Sequence, residues 1–148
     1  MTPAVVLAIL VAAGAALVVQ NLIMVRITGV ASTVLVTLVL NSSIGLVLLV
    51  GLLWWRNGAG FMAETAGLFR WWMILPGVLG SFFVFAGIMG YQRLGAAATV
   101  SVLVASQLVL GLLVDQARSG AALREAMVPA LGAVLLVLGA WLVARRGF

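Results

Sequence analysis

The chain has 148 residues, of which 66% are hydrophobic and 7% are charged, and its net charge at pH 7 is +5. A soluble domain carries about 25% charged residues, so this composition excludes a soluble globular fold. The chain contains no cysteine and no histidine, which excludes disulfides, thiol chemistry, zinc sites and imidazole catalysis. We therefore expect an integral membrane protein without a metal or another cofactor.

The positive charge does not indicate nucleic-acid binding. All eight basic residues are arginines, and they stand singly or in one pair at the ends of apolar runs. This pattern lacks the basic stripe of a nucleic-acid-binding surface. Arginine at the end of an apolar run is typical of an anchor in the lipid headgroups.

Five apolar runs follow one another along the chain, and each has about the length that a helix needs to cross the hydrocarbon core. They cover residues 4–24, 31–54, 71–91, 95–114 and 128–143. The sequence predicts an all-α integral membrane protein, a single transmembrane domain over residues 1–148 with five helices. Pro3 and Pro129 are expected in first turns, where the missing N–H is tolerated.

Two longer connections cover residues 56–70 and 116–127, both on the side of the N-terminus. The first contains apolar residues that favour a short interfacial helix, although a plain loop fits equally well. These residues are Phe61, Met62, Leu68 and Phe69.

Arginines are divided equally between the two sides of the predicted helices. The N-terminal side carries Arg56, Arg70, Arg118 and Arg124, and the opposite side carries Arg26, Arg93, Arg145 and Arg146. Positive residues orient a membrane protein only when they are unequally distributed. One interpretation is that unequal weighting still selects a single orientation. The interpretation that we favour is insertion in both orientations and assembly as an antiparallel (inverted) homodimer of ten helices.

Several polar side chains lie at membrane depth, where an unpaired polar group is costly. We predict that they form a midplane substrate site. Gln20 and Asn21 are expected to line its mouth on the side opposite the N-terminus, with contact to the lipid headgroups as the alternative for these two residues. The other predicted site residues are Asn41, Ser42, Ser81, Ser106 and Gln107. The alternative is that these groups only join helices, or that the serines bond to carbonyls of their own helix. For Asn41 and Gln107 the two interpretations are balanced, because an amide has more hydrogen-bonding positions than one helix carbonyl satisfies.

Aromatic residues and glycines complete the predicted site. Phe82, Phe85 and Tyr91 are expected to form the cavity wall, with contact to lipid as the alternative for the phenylalanines. Five glycines are expected to allow close helix packing, since small residues let membrane helices approach each other. They are Gly77, Gly80, Gly87, Gly132 and Gly139.

The chain resembles the YdcZ family, the five-span branch of the drug/metabolite transporter superfamily. The matching strings are AAGAALVVQNLIMVRIT, LNSSIGLVLLV, RWWMILPGVLGSFFVFAGIMGYQRLGAA, TVSVLVASQLVLGLLVDQ and GAVLLVLGAWLVARR. The resemblance covers nearly the full length and implies a multi-pass protein of the bacterial inner membrane, related to half of a ten-span transporter. It also implies that dual-topology forms exist, and it supplies no substrate. Small multidrug-resistance relatives have a buried glutamate in their first helix, but the first span here contains no acid.

Three functions fit these features. The first is a secondary transporter or exporter of small, neutral or amphipathic molecules, working by alternating access as a dual-topology homodimer in the lipid bilayer. The second is a dual-topology channel, although no ring of charged residues at depth supports it. The third is a structural membrane protein without transport. An intramembrane enzyme is excluded, because no constellation of nucleophile and base, paired acids or metal ligands is present.

Overall fold

A computed structural model describes residues 2–119 and 123–145 of the chain. Within these ranges the regular structure is entirely helical, and a short 3-10 turn over Trp71–Met73 precedes the fourth helix. The helices are α1 (Pro3–Thr28), α2 (Val34–Asn57), α3 (Gly60–Leu68), α4 (Ile74–Leu94), α5 (Ala96–Ser119) and α6 (Leu123–Ala144).

Five of these helices are long and apolar enough to cross a membrane, which confirms the predicted all-helical class. Their most apolar 18-residue windows have mean hydropathies between 1.9 and 2.4. The five helices are α1, α2, α4 with its preceding turn, α5 and α6. Most of them extend past the apolar runs, since helical backbone continues through the polar interface; α1, for example, ends at Thr28 rather than near residue 24.

The expectation for Pro129 is wrong. Helix α6 begins at Leu123, so Pro129 lies inside the helix rather than in its first turn. The apolar run begins at Val128, but the preceding residues, LREAM, are good helix formers and extend the helix. Pro129 therefore removes one hydrogen bond from the helix interior.

Two glycines with positive φ end membrane helices. Gly58 follows α2 with φ 57° and donates its backbone N–H to the Trp54 carbonyl. Gly95 is the single residue between α4 and α5 and has φ 81°. Only glycine adopts this backbone region without steric cost, so these two positions allow the chain to turn sharply between helices.

The segment after α2 is helical in the structure. Helix α3 begins at Gly60 and ends at Leu68. Of the two alternatives expected for this segment, the structure therefore contains the helix. The rings of Trp54 and Phe61 meet edge to face with their centroids 6.3 Å apart. This contact attaches the start of α3 to the end of α2.

The chain divides into two compact units, with boundaries inside α1 and α4. In the unit Gln20–Ile88, the buried side chains include Met24, Thr37 and Ile88. The other unit comprises Met1–Val19 and Met89–Phe148. Here α5 packs along α6, and the buried residues include alanines spaced seven apart on each helix: Ala98, Ala105, Ala133 and Ala140. Small residues at this spacing let the two helices approach closely.

Candidate functional site

A direct hydrogen bond joins two of the predicted site residues. Gln20 Nε2 on α1 donates to Asn41 Oδ1 on α2 over 3.0 Å. Gln20 is the eighteenth of 26 residues in α1, and Asn41 is the eighth of 24 in α2. With a rise of 1.5 Å per residue, the pair lies about 11 Å from the connected ends of the two helices. Gln20 is exposed on the surface of the chain, and Asn41 is half-buried.

Asn21 lies next to this pair and is buried, with 6% of its surface exposed. Its Oδ1 is 3.5 Å from the position that a Cβ on Gly87 of α4 would occupy. Gly87 itself is buried, and a Cβ there would meet the Asn21 amide at ordinary van der Waals distance. Asn21 therefore lies inside the unit, while Gln20 remains open to a ligand.

A second polar contact between α1 and α2 lies nearer to their connection. The hydroxyls of Thr28 and Thr37 are 2.9 Å apart, and Thr28 Oγ1 also donates to the Met24 carbonyl over 2.9 Å. A hydroxyl has one hydrogen to donate, so Thr37 is the donor to Thr28. Because Thr37 is only 1% exposed, this bond forms inside the unit and stabilises the hairpin of α1 and α2.

Two of the predicted site serines bond to carbonyls of their own helix. Ser81 Oγ donates to the Gly77 carbonyl over 2.9 Å, and Ser106 Oγ donates to the Leu103 carbonyl over 2.8 Å. This is the alternative arrangement expected for serines in membrane helices. Both serines and Ser42 are exposed on the surface of the chain, so a role for them in substrate binding stays a prediction.

The predicted wall residues have different environments. Tyr91 is buried, with 7% exposure, whereas Phe82 and Phe85 are exposed by 68% and 38%. Tyr91 thus belongs to the interior, and the two phenylalanines lie on the outer surface of α4. Gln107 is also exposed, at the middle of α5. A wall role for the phenylalanines stays a prediction and requires a partner that covers them.

The predicted packing glycines have few neighbours apart from Gly87. A Cβ added at any of the other four would meet no atom within 4 Å. These four are Gly77, Gly80, Gly132 and Gly139. Among the side chains of α6 that the structure describes, the buried ones are those of Ala133 and Ala140, each next to one of these glycines. Packing at the four glycines stays a prediction that requires a second molecule.

A groove of about 610 Å³ runs between α5 and α6. Two predicted packing glycines, Gly132 and Gly139, lie on its α6 side. Its α5 side is formed by Val100, Ser101 and Val104. The lining is mostly apolar, so the groove suits an acyl chain or another helix better than a polar solute.

Charged side chains lie towards the ends of the membrane helices. Arg26, Arg56, Arg93 and Arg118 each lie in the last turn of a helix. Of the acids whose side chains the structure describes, Glu64 is in α3 and Asp115 is near the end of α5, and both are exposed. In the described ranges, no three acidic side chains form a group that could hold a metal ion. The polar site on α1 and α2 is therefore built from uncharged groups.

A family model with the description "Putative inner membrane exporter, YdcZ" matches residues 5–142. The chain belongs to the YdcZ family. It is 57% identical over 143 residues to the inner membrane protein YdcZ of Escherichia coli (strain K12), and the aligned region covers 96% of each chain. No solved structure matches the chain significantly.

These comparisons confirm the resemblance stated from the sequence. The YdcZ family belongs to the drug/metabolite transporter (DMT) type. Together with the five apolar helices, membership identifies the chain as a multi-pass protein of the bacterial inner membrane. The family description as an exporter supports a role in transport.

The hydrogen bonds of Gln20 with Asn41 and of Thr28 with Thr37 are not among the contacts predicted from the sequence. The connection between α1 and α2 contains only residues 29–33, and a short connection makes the two helices antiparallel neighbours. Residues equidistant from its centre then lie at the same depth. Gln20 is eleven residues before residue 31, and Asn41 is ten residues after it. Their nearly equal distances from the centre of the connection therefore predict this pair.

Proposed function

We propose that the chain is an exporter of small, neutral or amphipathic molecules that works by alternating access as an inverted homodimer. The observation that carries the proposal is the Gln20–Asn41 amide pair between two apolar helices. Family membership supports export, and the equal distribution of arginines supports insertion in both orientations.

The amide pair retains capacity for a ligand. Each side-chain amide offers two donor hydrogens and an oxygen with two lone pairs. The bond between Gln20 and Asn41 uses one hydrogen of the first and one lone pair of the second. A solute with a hydroxyl, amide or carbonyl group can therefore find both donors and acceptors at this pair.

The absence of charge at this site indicates the class of substrate. The three acids of the sequence are Glu64, Asp115 and Glu125, and none lies in α1 or α2. A bare cation would lack a counter-charge at the amide pair, and losing its hydration shell would be costly. A neutral polar head attached to an apolar tail fits the amides and the surrounding apolar helix faces.

The exposed members of the predicted site support assembly with a second copy. Ser42, Phe82 and Gln107 lie on the surface of the chain at positions within membrane helices. In the proposed dimer, the partner covers these exposed side chains. Transport then requires both copies, in agreement with a chain that has half the spans of a ten-span transporter.

The test uses proteoliposomes and a panel of radiolabelled neutral amphipaths, the short-chain alkyl glucosides, with tetraphenylphosphonium as the cationic comparison. We expect saturable flux of at least one glucoside and no protein-dependent flux of the cation. Flux proportional to concentration over the whole range would instead indicate a channel. A flux of every glucoside equal to that of empty liposomes would contradict the proposal.

A variant pair assigns the flux to the amide site. Asn41→Leu should lower glucoside transport about tenfold, since it removes hydrogen bonds to the solute, and the dimer should still purify. Ser43→Ala is the matched control, because Ser43 is exposed on the same helix and should leave transport unchanged. Equal transport in both variants would show that Asn41 does not bind the solute.

A further inference from the structure

Gln107 is an amide placed at the centre of a membrane helix and facing outward. It is the twelfth of 24 residues in α5, and the apolar span Ala96–Arg118 is centred on it. It is exposed and makes no hydrogen bond with any residue that the structure describes. Lipid offers no partner to an amide at this depth, so this side chain points to a partner outside the chain.

The surface around Gln107 is shaped for a helix. At 100° per residue, Val100, Val104, Gln107 and Gly111 lie within about 60° on one face of α5. A Cβ at Gly111 would meet no atom within 4 Å, so a second helix can come close one turn from the amide. Val100 and Val104 also form one side of the 610 Å³ groove between α5 and α6, and the face is continuous with that groove.

We propose that this face binds α5 of an inverted second copy, with the two α5 helices crossing at Gln107. The proposal rests on the inverted homodimer of the proposed function and specifies its contact surface. A two-fold axis in the membrane plane moves each residue to the opposite depth, and only a residue at mid-depth meets itself. Gln107 has this position, whereas other residues of α5 meet different residues of the second copy.

The chemistry of the side chain suits this symmetry. Each Gln107 donates an Nε2 hydrogen to Oε1 of the other copy, so one reciprocal contact pairs one donor and one acceptor of each amide. Residues equally far before and after Gln107 then face each other, which places Gly111 of one copy opposite Leu103 of the other. A glycine facing a leucine allows close approach at the crossing.

Cysteine cross-linking in membranes tests the arrangement, since the chain contains no cysteine of its own. Gln107→Cys should form a covalent dimer on oxidation with copper phenanthroline, because the two β-carbons come within disulfide distance. Val100→Cys should not cross-link to itself, since its two copies lie about 21 Å apart along the helices. Val100→Cys expressed together with Val114→Cys should cross-link.

Two outcomes contradict the proposal directly. Self-cross-linking of Val100→Cys would show a parallel contact. Failure of Gln107→Cys to cross-link in protein that purifies as a dimer would place the contact elsewhere. Val109→Cys is the matched control for the face of the helix, because Val109 lies at similar depth on the opposite side of α5. This variant should form no covalent dimer on oxidation.

Gln107→Leu separates the interface from the substrate site. It should weaken dimerisation in liposomes about eightfold, the effect of two hydrogen bonds of average strength in a membrane protein. Lower flux with an unchanged dimer would make Gln107 a substrate residue and overturn the interface. Cross-linking of Gln107→Cys, combined with wild-type protein that shows no glucoside flux, would overturn the proposed function and leave the interface intact.

Discussion

Replacement of Gly90 by alanine tests a close approach between α4 and α5. A Cβ at Gly90 of α4 would lie 2.5 Å from Cγ2, 2.8 Å from Oγ1 and 3.2 Å from Cβ of Thr99 on α5. Non-bonded carbon atoms prefer about 3.5–4.0 Å. Gly90→Ala therefore requires the distance between the new Cβ and Thr99 Cγ2 to increase by at least about 1 Å.

Thr99 cannot easily move away. Its Oγ1 donates to the Gly95 carbonyl over 2.8 Å, and the side chain is buried, with 4% exposure. Rotation about χ1 would break this bond and place another branch against the new methyl group. The helices must therefore move apart, and overpacking of this kind costs about 1–3 kcal/mol. We expect Gly90→Ala to destabilise the protein by about 2 kcal/mol.

Thermal unfolding in mild detergent, followed by circular dichroism, measures the effect. Adding Thr99→Ala to Gly90→Ala removes the two shortest contacts and should recover most of the lost stability. Gly14→Ala is the control, since a Cβ at Gly14 meets no atom within 4 Å; it should be neutral or slightly stabilising because alanine favours helix. Wild-type stability of Gly90→Ala, or no recovery with Thr99→Ala, would refute the reasoning.

Three further predictions concern the hairpin, the orientation and the site. Thr37→Val should destabilise the protein by about 1 kcal/mol, because it loses the hydrogen bond to Thr28. The control is Thr65→Val, which removes an exposed hydroxyl bonded within α3 and should have no measurable effect in the same assay. Equal effects of the two variants would contradict the role of the buried bond. Reporters fused after Phe148 should show both orientations, and three added lysines should direct that end to the cytoplasm; a wild-type protein found in one orientation would refute dual topology. Asn41→Cys should react with small polar maleimides from both sides of the membrane, with protection by bound alkyl glucoside, and an inert cysteine would place Asn41 outside the transport pathway.

Hydropathy predicts the number of membrane helices because lipid imposes a simple requirement on each residue. A segment inside the hydrocarbon core must be apolar and must satisfy its own backbone hydrogen bonds, and both properties are visible in sequence. Hydropathy does not locate the ends of the helices. Pro129 shows the difference, because α6 continues through LREAM outside the apolar run, where backbone propensity rather than hydropathy decides the structure.

The candidate site was only partly predictable for a related reason. Composition and depth select Gln20, Asn41 and Gln107 as polar groups in an apolar chain, since each is identified by its own chemistry. Whether such a group faces a neighbour depends on the register and rotation of two helices. The structure pairs Gln20 with Asn41 and leaves Gln107 on the surface of α5, and no property of the single residues distinguishes these outcomes.

Glycines show most clearly what tertiary structure decides. The face pattern of α4 in the sequence predicts close packing at Gly80 and does not include Gly90. In the structure Gly90 lies against Thr99, whereas a side chain at Gly80 would meet no atom within 4 Å. Small size is a property of the residue and is determined by the sequence. Close approach is a property of two helices and depends on where the second helix crosses the first.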